Sequence, residues 1–142
     1  MAELVYNVGK GSIAAGRLNA GSTVLRAAAI ITSKTGAADA TLTTMAAIDA
    51  VGTVAFHSQR VTLTSVTATV DQANSRLNID CADFSFTASA GVTALALVIY
   101  DATTDTNDTT RVPIAYYDTG FGAGLPLDGG LNITVADFLR LT

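Results

Sequence analysis

The sequence predicts an all-β, mainly β fold: a β-sandwich or jelly-roll-like domain with one short helix and an extended N-terminal arm. Three observations point there. Short apolar runs either alternate with polar residues at period two or are apolar on both faces, the marks of half-buried and fully buried strands. Clusters of Gly, Asn and Asp separate those runs. Threonine fills the outward positions, as in VTLTSVTATV. With 142 residues, 49% hydrophobic and only 14% charged, the chain is too apolar for global disorder and long enough for one domain. Such a domain buries roughly 68% of the surface its unfolded chain exposes, so neither a metal nor a disulfide is required to hold it.

Residues 1–21 read as the arm and 22–142 as a single β-sandwich domain. In the arm, Leu4, Val5, Tyr6, Val8 and Ile13 are spaced by Gly9, Gly11, Gly16 and Gly21, a glycine density that argues against a stable helix. VLRAAAIIT, Val24 to Thr32, is apolar on both faces and reads as a buried strand. Between Thr41 and Val51, Leu42, Met45 and Ile48 recur about every three residues, with Asp39 or Thr41 as candidate cap, which places a helix there. Next comes a hairpin whose turn is Asp71 to Arg76. Pairing Val70 with Leu77 sets Val66 against Cys81 and Leu63 against Phe84. In both strands the apolar face switches midway, near Ser65 and near Ala82, so the tip is expected to bury one face and the base the other. TALALVIY, Thr93 to Tyr100, is a central strand, followed by an acidic loop and RVPIAYYD, where Pro113 demands an edge or a bulge. A last strand carries Leu131, Ile133 and Val135, and the apolar end, Phe138, Leu139 and Leu141, is expected to be pinned to the sheet or to a partner. The total is six or seven strands.

Charge narrows the function. A net charge of −4 repels phosphate backbones and anionic membrane surfaces, and the 8 Lys and Arg are scattered, so neither nucleic acid nor membrane is an expected partner. Cys81 is the only cysteine, which excludes an intrachain disulfide and a Cys-rich zinc site. The start, MAELVYN, carries Glu3 and lacks a basic segment followed by an apolar one, so no secretory leader is expected. The mean hydropathy, +0.41, exceeds that of an ordinary soluble domain, and a partner chain is one place to cover the surplus.

Motifs for chemistry are weak. His57 is the only histidine, and no Gly-x-Ser-x-Gly elbow marks an activated serine. GKGS, Gly9 to Ser12, lacks the earlier glycine and the strand-to-helix context of a phosphate loop. Asp101, Asp105, Asn107 and Asp108 gather oxygen ligands without the glycine turn or distal glutamate of an EF-hand, and read as a solvated hairpin tip. No cofactor and no catalytic residue is expected.

The opening MAELVYNVGKG and the segment LVIYDATTDTNDTTRVPIAYYDTGF resemble a family of small head proteins of tailed bacteriophages, the cement or decoration proteins. The resemblance covers Ala2 to Lys10 and Val98 to Asp118, and through the middle it is one of layout only. Gly9, Gly11 and Gly16 stand where that family carries helix-favouring residues. The resemblance implies a virion protein, made in the host cytoplasm, on the outer surface of an icosahedral head, binding major capsid protein and cementing neighbouring capsomers. The residues themselves suggest a homo-oligomer, dimer ahead of trimer, with an interface formed by Leu4, Val5, Tyr6, Val8 and Ile13 of the arm and Val66, Ala68, Val70, Leu77 and Ile79 of the hairpin. Burying the arm yields on the order of 10 kcal/mol at most, and ordering its backbone costs about as much. Several arms would therefore act together, and an arm deleted through residue 18 would leave a folded protein unable to bind. The alternative is a carbohydrate-binding or adhesin-like sandwich, which needs a solvent-facing aromatic platform drawn from Tyr6, Tyr100, Tyr116 and Tyr117.

Overall fold

The computed structural model describes residues 4–18, 22–103, 106–135 and 139–141. Ala2, Glu3, Gly21, Asp105 and Phe138, named above, lie outside the described residues. The chain is mainly β. Its strands are β1 (Leu4–Val5), β2 (Leu25–Ile30), β3 (Phe56–Thr62), β4 (Thr67–Asp71), β5 (Arg76–Asp80), β6 (Phe84–Phe86), β7 (Thr93–Ala94), β8 (Ala96–Asp101), β9 (Val112–Tyr117), β10 (Leu125–Pro126), β11 (Leu131–Ile133) and β12 (Leu139–Leu141). Two α-helices, α1 (Asn7–Ala14) and α2 (Met45–Asp49), interrupt them. Among the described residues the twelve strands exceed the six or seven expected because several are only two or three residues long.

One five-stranded antiparallel sheet, β1-β9-β8-β2-β3, frames the molecule, and three small ladders, β10-β7, β11-β6 and β12-β5-β4, accompany it. The central strands β2 and β8 are buried on both faces, as their apolar runs, interrupted in β2 by Arg26, require. On one face Leu25, Ala27, Ala29, Leu97 and Ile99 pack with Ile79, Phe86 and Leu139 of the small ladders and with Cys81 just past β5, which makes the sandwich. On the other, Ala28, Ile30, Val98, Tyr100 and Tyr116 pack with Tyr6, Ala37, Val54 and the α2 residues Met45 and Ile48. Each fully buried aliphatic side chain contributes about 1.5–3 kcal/mol. The alanines of β2 and β8 let both covering layers approach the sheet closely. Most of the apolar surplus is absorbed this way: among the described residues the exposed large hydrophobics are Val24 and Val70.

The helix expected between Thr41 and Val51 is α2. Its cap is Thr44, whose Oγ1 accepts from Ala47 N at 3.0 Å. Asp39 instead holds a turn, accepting from Thr41 N at 2.9 Å and Thr41 Oγ1 at 2.7 Å. The first N–H groups of α2, from Met45 and Ala46, donate to the carbonyls of Arg111 (3.0 Å) and Asp108 (2.8 Å). That ties α2 to the loop between β8 and β9. Pro113 sits at a bulge: Ile99 pairs with Ala115 and Tyr100 with Pro113, leaving Ile114 as the extra residue.

The extended arm is corrected by the structure. Leu4 and Val5 form β1 on the outer edge of β9, opposite Tyr116 and Ala115, and Asn7–Ala14 is helical despite its glycines. Tertiary packing overrides propensity here. A Cβ on Gly9 would lie 2.8 Å from Ile114 Cα and Ile114 O, so glycine is the residue that lets α1 rest on the bulge.

The continuous hairpin is corrected as well. Its outer half forms as expected: Val70 pairs with Leu77 and Thr67 with Asp80, around a turn closed by Asp71 and Arg76. Asp71 caps the turn, accepting from Asn74 N at 3.2 Å and from Arg76 Nε at 2.8 Å. Below that, β3 joins β2 and β6 joins β11: Leu63, just past the end of β3, donates its N–H to Leu25 O, and Phe84 stands opposite Ile133. The face switches mark the points where each strand leaves one ladder for another, with Ser65 at a φ of 53° making the turn. The chain's end is pinned, since β12 pairs with β5, Leu139 opposite Ile79.

Candidate interaction surface

The two groups of candidate interface residues meet different fates. Tyr6 is completely buried, its hydroxyl donating to Ala37 O at 2.6 Å and its N–H to Ile114 O at 3.0 Å. Burial, reinforced by Tyr116 and by the Asp39 charge, holds its phenol well above the usual range. Leu4 and Val8 are partly buried against the core that contains Tyr6, and Val5 and Ile13 against the opposite core. Of these five residues Tyr6 is fully covered by its own chain, and Leu4, Val5, Val8 and Ile13 are covered in part.

The hairpin behaves otherwise. Directly opposed residues share a face, so Ala68, Ile79 and Leu139 point one way with Val70 and Leu77. Along that face burial falls off sharply. Leu139 is 0% and Ile79 4% exposed, Val66 and Leu77 are partly covered, Ala68 is exposed and Val70 is 68% exposed. The strand β4 therefore overhangs the core that its neighbours cover, and its inward-facing side chains emerge into solvent. The opposite face carries Thr67, Thr69, Asn78 and Arg140.

Groups that chemistry would recruit are held in structural roles. His57 is 8% exposed; its Nδ1 accepts from Gln59 N at 3.2 Å, and its Nε2 lies 3.3 Å from Ser89 Oγ. Burial, then the nearby Asp80 and Asp83 charges, pushes the Cys81 thiol up to about 11, so it is a protonated core residue at neutral pH. Gly9 to Ser12 lie within α1 and form no loop. In the acidic loop, Asp101 Oδ1 accepts from Thr103 N (2.8 Å) and Oγ1 (2.6 Å). Asp108 bridges Arg60 (3.1 Å) and Arg111 (2.7 Å), whose guanidinium groups lie over the Phe56 and Tyr100 rings. That bracket of Arg60, Asp108 and Arg111 was not anticipated from the sequence, where the spacing of Asp108 and Arg111 was its only trace.

The aromatic platform required by a carbohydrate-binding reading is not formed by the tyrosines: Tyr6 and Tyr100 are 0% and Tyr116 2% exposed, and Tyr117 is partly buried. Among the described residues no group of three or more His, Cys, Asp or Glu side chains is placed to hold a metal ion. Among the described residues no helix is long and apolar enough to cross a membrane. Compared with protein-family models, with curated proteins and with solved structures, the chain gives no match.

Proposed function

We propose that this protein is a structural, non-catalytic component of a tailed-phage virion that binds the outer surface of the head and cements neighbouring capsomers of the major capsid protein. The observation that carries the reading is the overhanging hairpin: Ala68 and Val70 share a face with the buried Ile79 and Leu139, yet stand in solvent. A sandwich that ends in an uncovered row of inward-type residues is built to have that row covered by protein. The resemblance of MAELVYNVGKG and of the β8–β9 hairpin to head decoration proteins supplies the identity of the assembly. Attachment is assigned to the hairpin, where Val70 is 68% exposed, in preference to the N-terminal segment, where Tyr6 is fully buried.

Single contacts of this size are weak, and a shell offers many. Burying Val70 and the uncovered parts of Leu77 and Val66 yields about 2–5 kcal/mol, which is insufficient for firm binding by one copy. Copies that also touch one another gain effective concentration. The net charge of −4 and the scattered basic residues suit a protein surface better than nucleic acid or an anionic bilayer. The test is direct. Purified protein mixed with undecorated, expanded phage heads is expected to cosediment saturably and to appear as ordered density on the outer shell by electron microscopy. Protein left wholly in the supernatant at every concentration overturns the proposal.

A further inference from the structure

We infer that β4 is a pairing edge for a second copy of this chain, the two β4 strands meeting antiparallel across a two-fold axis to join their three-stranded ladders into one sheet. The inference deepens the assembly reading above and rests on it for the high local concentration at which pairing would operate. The ladder runs β12-β5-β4, so β4 is its outer strand. Thr67, Ala68, Thr69 and Val70 are all exposed. Exposed edges are ordinarily blunted by lysine, proline, a bulge or an inward-pointing charge. β4, with the sequence TATVD, has no lysine or proline, and its register with β5 is unbroken from Thr67 to Asp71. Its single charge, Asp71, lies at the tip and is engaged by Arg76 at 2.8 Å.

The features that leave this edge open also select its occupant. A foreign strand would be chosen by charge or by a pocket, and β4 presents neither. A second β4 matches in length and in both faces. Registers that pair residues of like parity bring Ala68 and Val70 against the mate's apolar row and keep Thr67 and Thr69 together on the other side. With the two-fold axis at Ala68, Thr69 or Val70, the mate's Asp71 falls opposite Ser65, Thr67 or Thr69 respectively. No like charges meet in any of the three. A slip by one residue would set Val70 among threonines, so the apolar pattern rejects the odd registers. One five-residue ladder buries less than the ~1,200 Å² of a stable interface, so the dimer is expected to be weak in dilute solution and formed where copies are crowded.

Sedimentation of the full chain from about 10 µM to about 1 mM tests this. The wild type is expected to pass from monomer to dimer within that range, with hydrogen exchange at residues 67–71 slowing as concentration rises. Val70→Lys is expected to stay monomeric throughout with an unchanged melting temperature, its side chain being 68% exposed in the monomer. Ala68→Lys, also at an exposed position, serves if Val70→Lys does not fold. A wild type that stays monomeric, or lysine variants that dimerise like the wild type, overturns the inference. The two readings fail separately: a wild type that dimerises through β4 but ignores phage heads removes the shell and keeps the pairing, and one that decorates heads as a monomer does the reverse.

Discussion

Gly9 and Gly11, two positions apart in α1, meet opposite surroundings. A Cβ on Gly9 would press on the backbone of Ile114 at 2.8 Å, whereas one on Gly11 would meet nothing within 4 Å. Replacing Gly9 by Ala must push the helix off the β9 bulge, and a loss of about 1–3 kcal/mol is expected. Gly11→Ala gains helix propensity without a clash and should stabilise by about 0.5–1 kcal/mol. Urea denaturation of the two variants checks both signs at once. A second residue-scale prediction concerns Cys81. With its thiol raised to about 11 by burial and by Asp80 and Asp83, it should react with a thiol reagent at pH 8 at least about 100-fold slower in the folded protein than in denaturant. Its place in the core was legible because it falls in an apolar alternation. The burial of Tyr6 was not, since the short segment around it carries no sign of what will cover it, and its partner Ala37 is 31 positions away.

At the scale of elements, local signals fared better than long-range ones. The three-residue spacing of Leu42, Met45 and Ile48 placed α2 because helical periodicity is written within a single turn. The β4–β5 register was legible because Asp71 to Arg76 is a turn of known chemistry, and the turn fixes every pair behind it. Period-two alternation reports which face a side chain takes but not which ladder its strand joins. The departure of β3 to β2 and of β6 to β11 therefore left only the face switches as a trace. The same limit produced the free arm: β1 and α1 owe their structure to β9, more than a hundred residues downstream. An expectation changes as a result. Removing residues 1–18 strips the β9 edge of its β1 partner and opens the core around Tyr6, so the truncated chain should lose about 3–6 kcal/mol, a large share of a domain's total stability. Circular dichroism through a thermal scan would show a lowered and broadened transition. A truncated chain that melts as sharply and as high as the full one would restore the arm to independence.

At the scale of the whole molecule, the two cores share one sheet: the strands that bury Leu97 and Ile99 on one side bury Val98 and Tyr100 on the other. Neither core can open without breaking the five-stranded sheet, so unfolding should be a single step. Two tyrosines report on opposite faces. Tyr6 lies in the core covered by α2, and Tyr117 packs against the core of the sandwich. Burial raises both phenols well above their usual range, Tyr6 further through Tyr116 and Asp39, and Tyr117 further through Cys81. An acid whose folded-state pKa is raised gives stability that is complete below the unfolded pKa, about 10 for tyrosine, and is lost as pH rises above it, because the unfolded chain then binds fewer protons than the folded one. The Cys81 thiol, raised to about 11, adds a loss of the same sign. Between about pH 10 and about pH 12 the protein is therefore expected to unfold cooperatively. Phenolate absorbance from Tyr6 and Tyr117 should appear in the same step as the loss of circular dichroism, and Tyr117→Phe should shift the midpoint to higher pH. Phenolate signals that rise smoothly while the dichroism stays native would mean that these rings reach solvent without unfolding, and that the two faces of the sheet open independently.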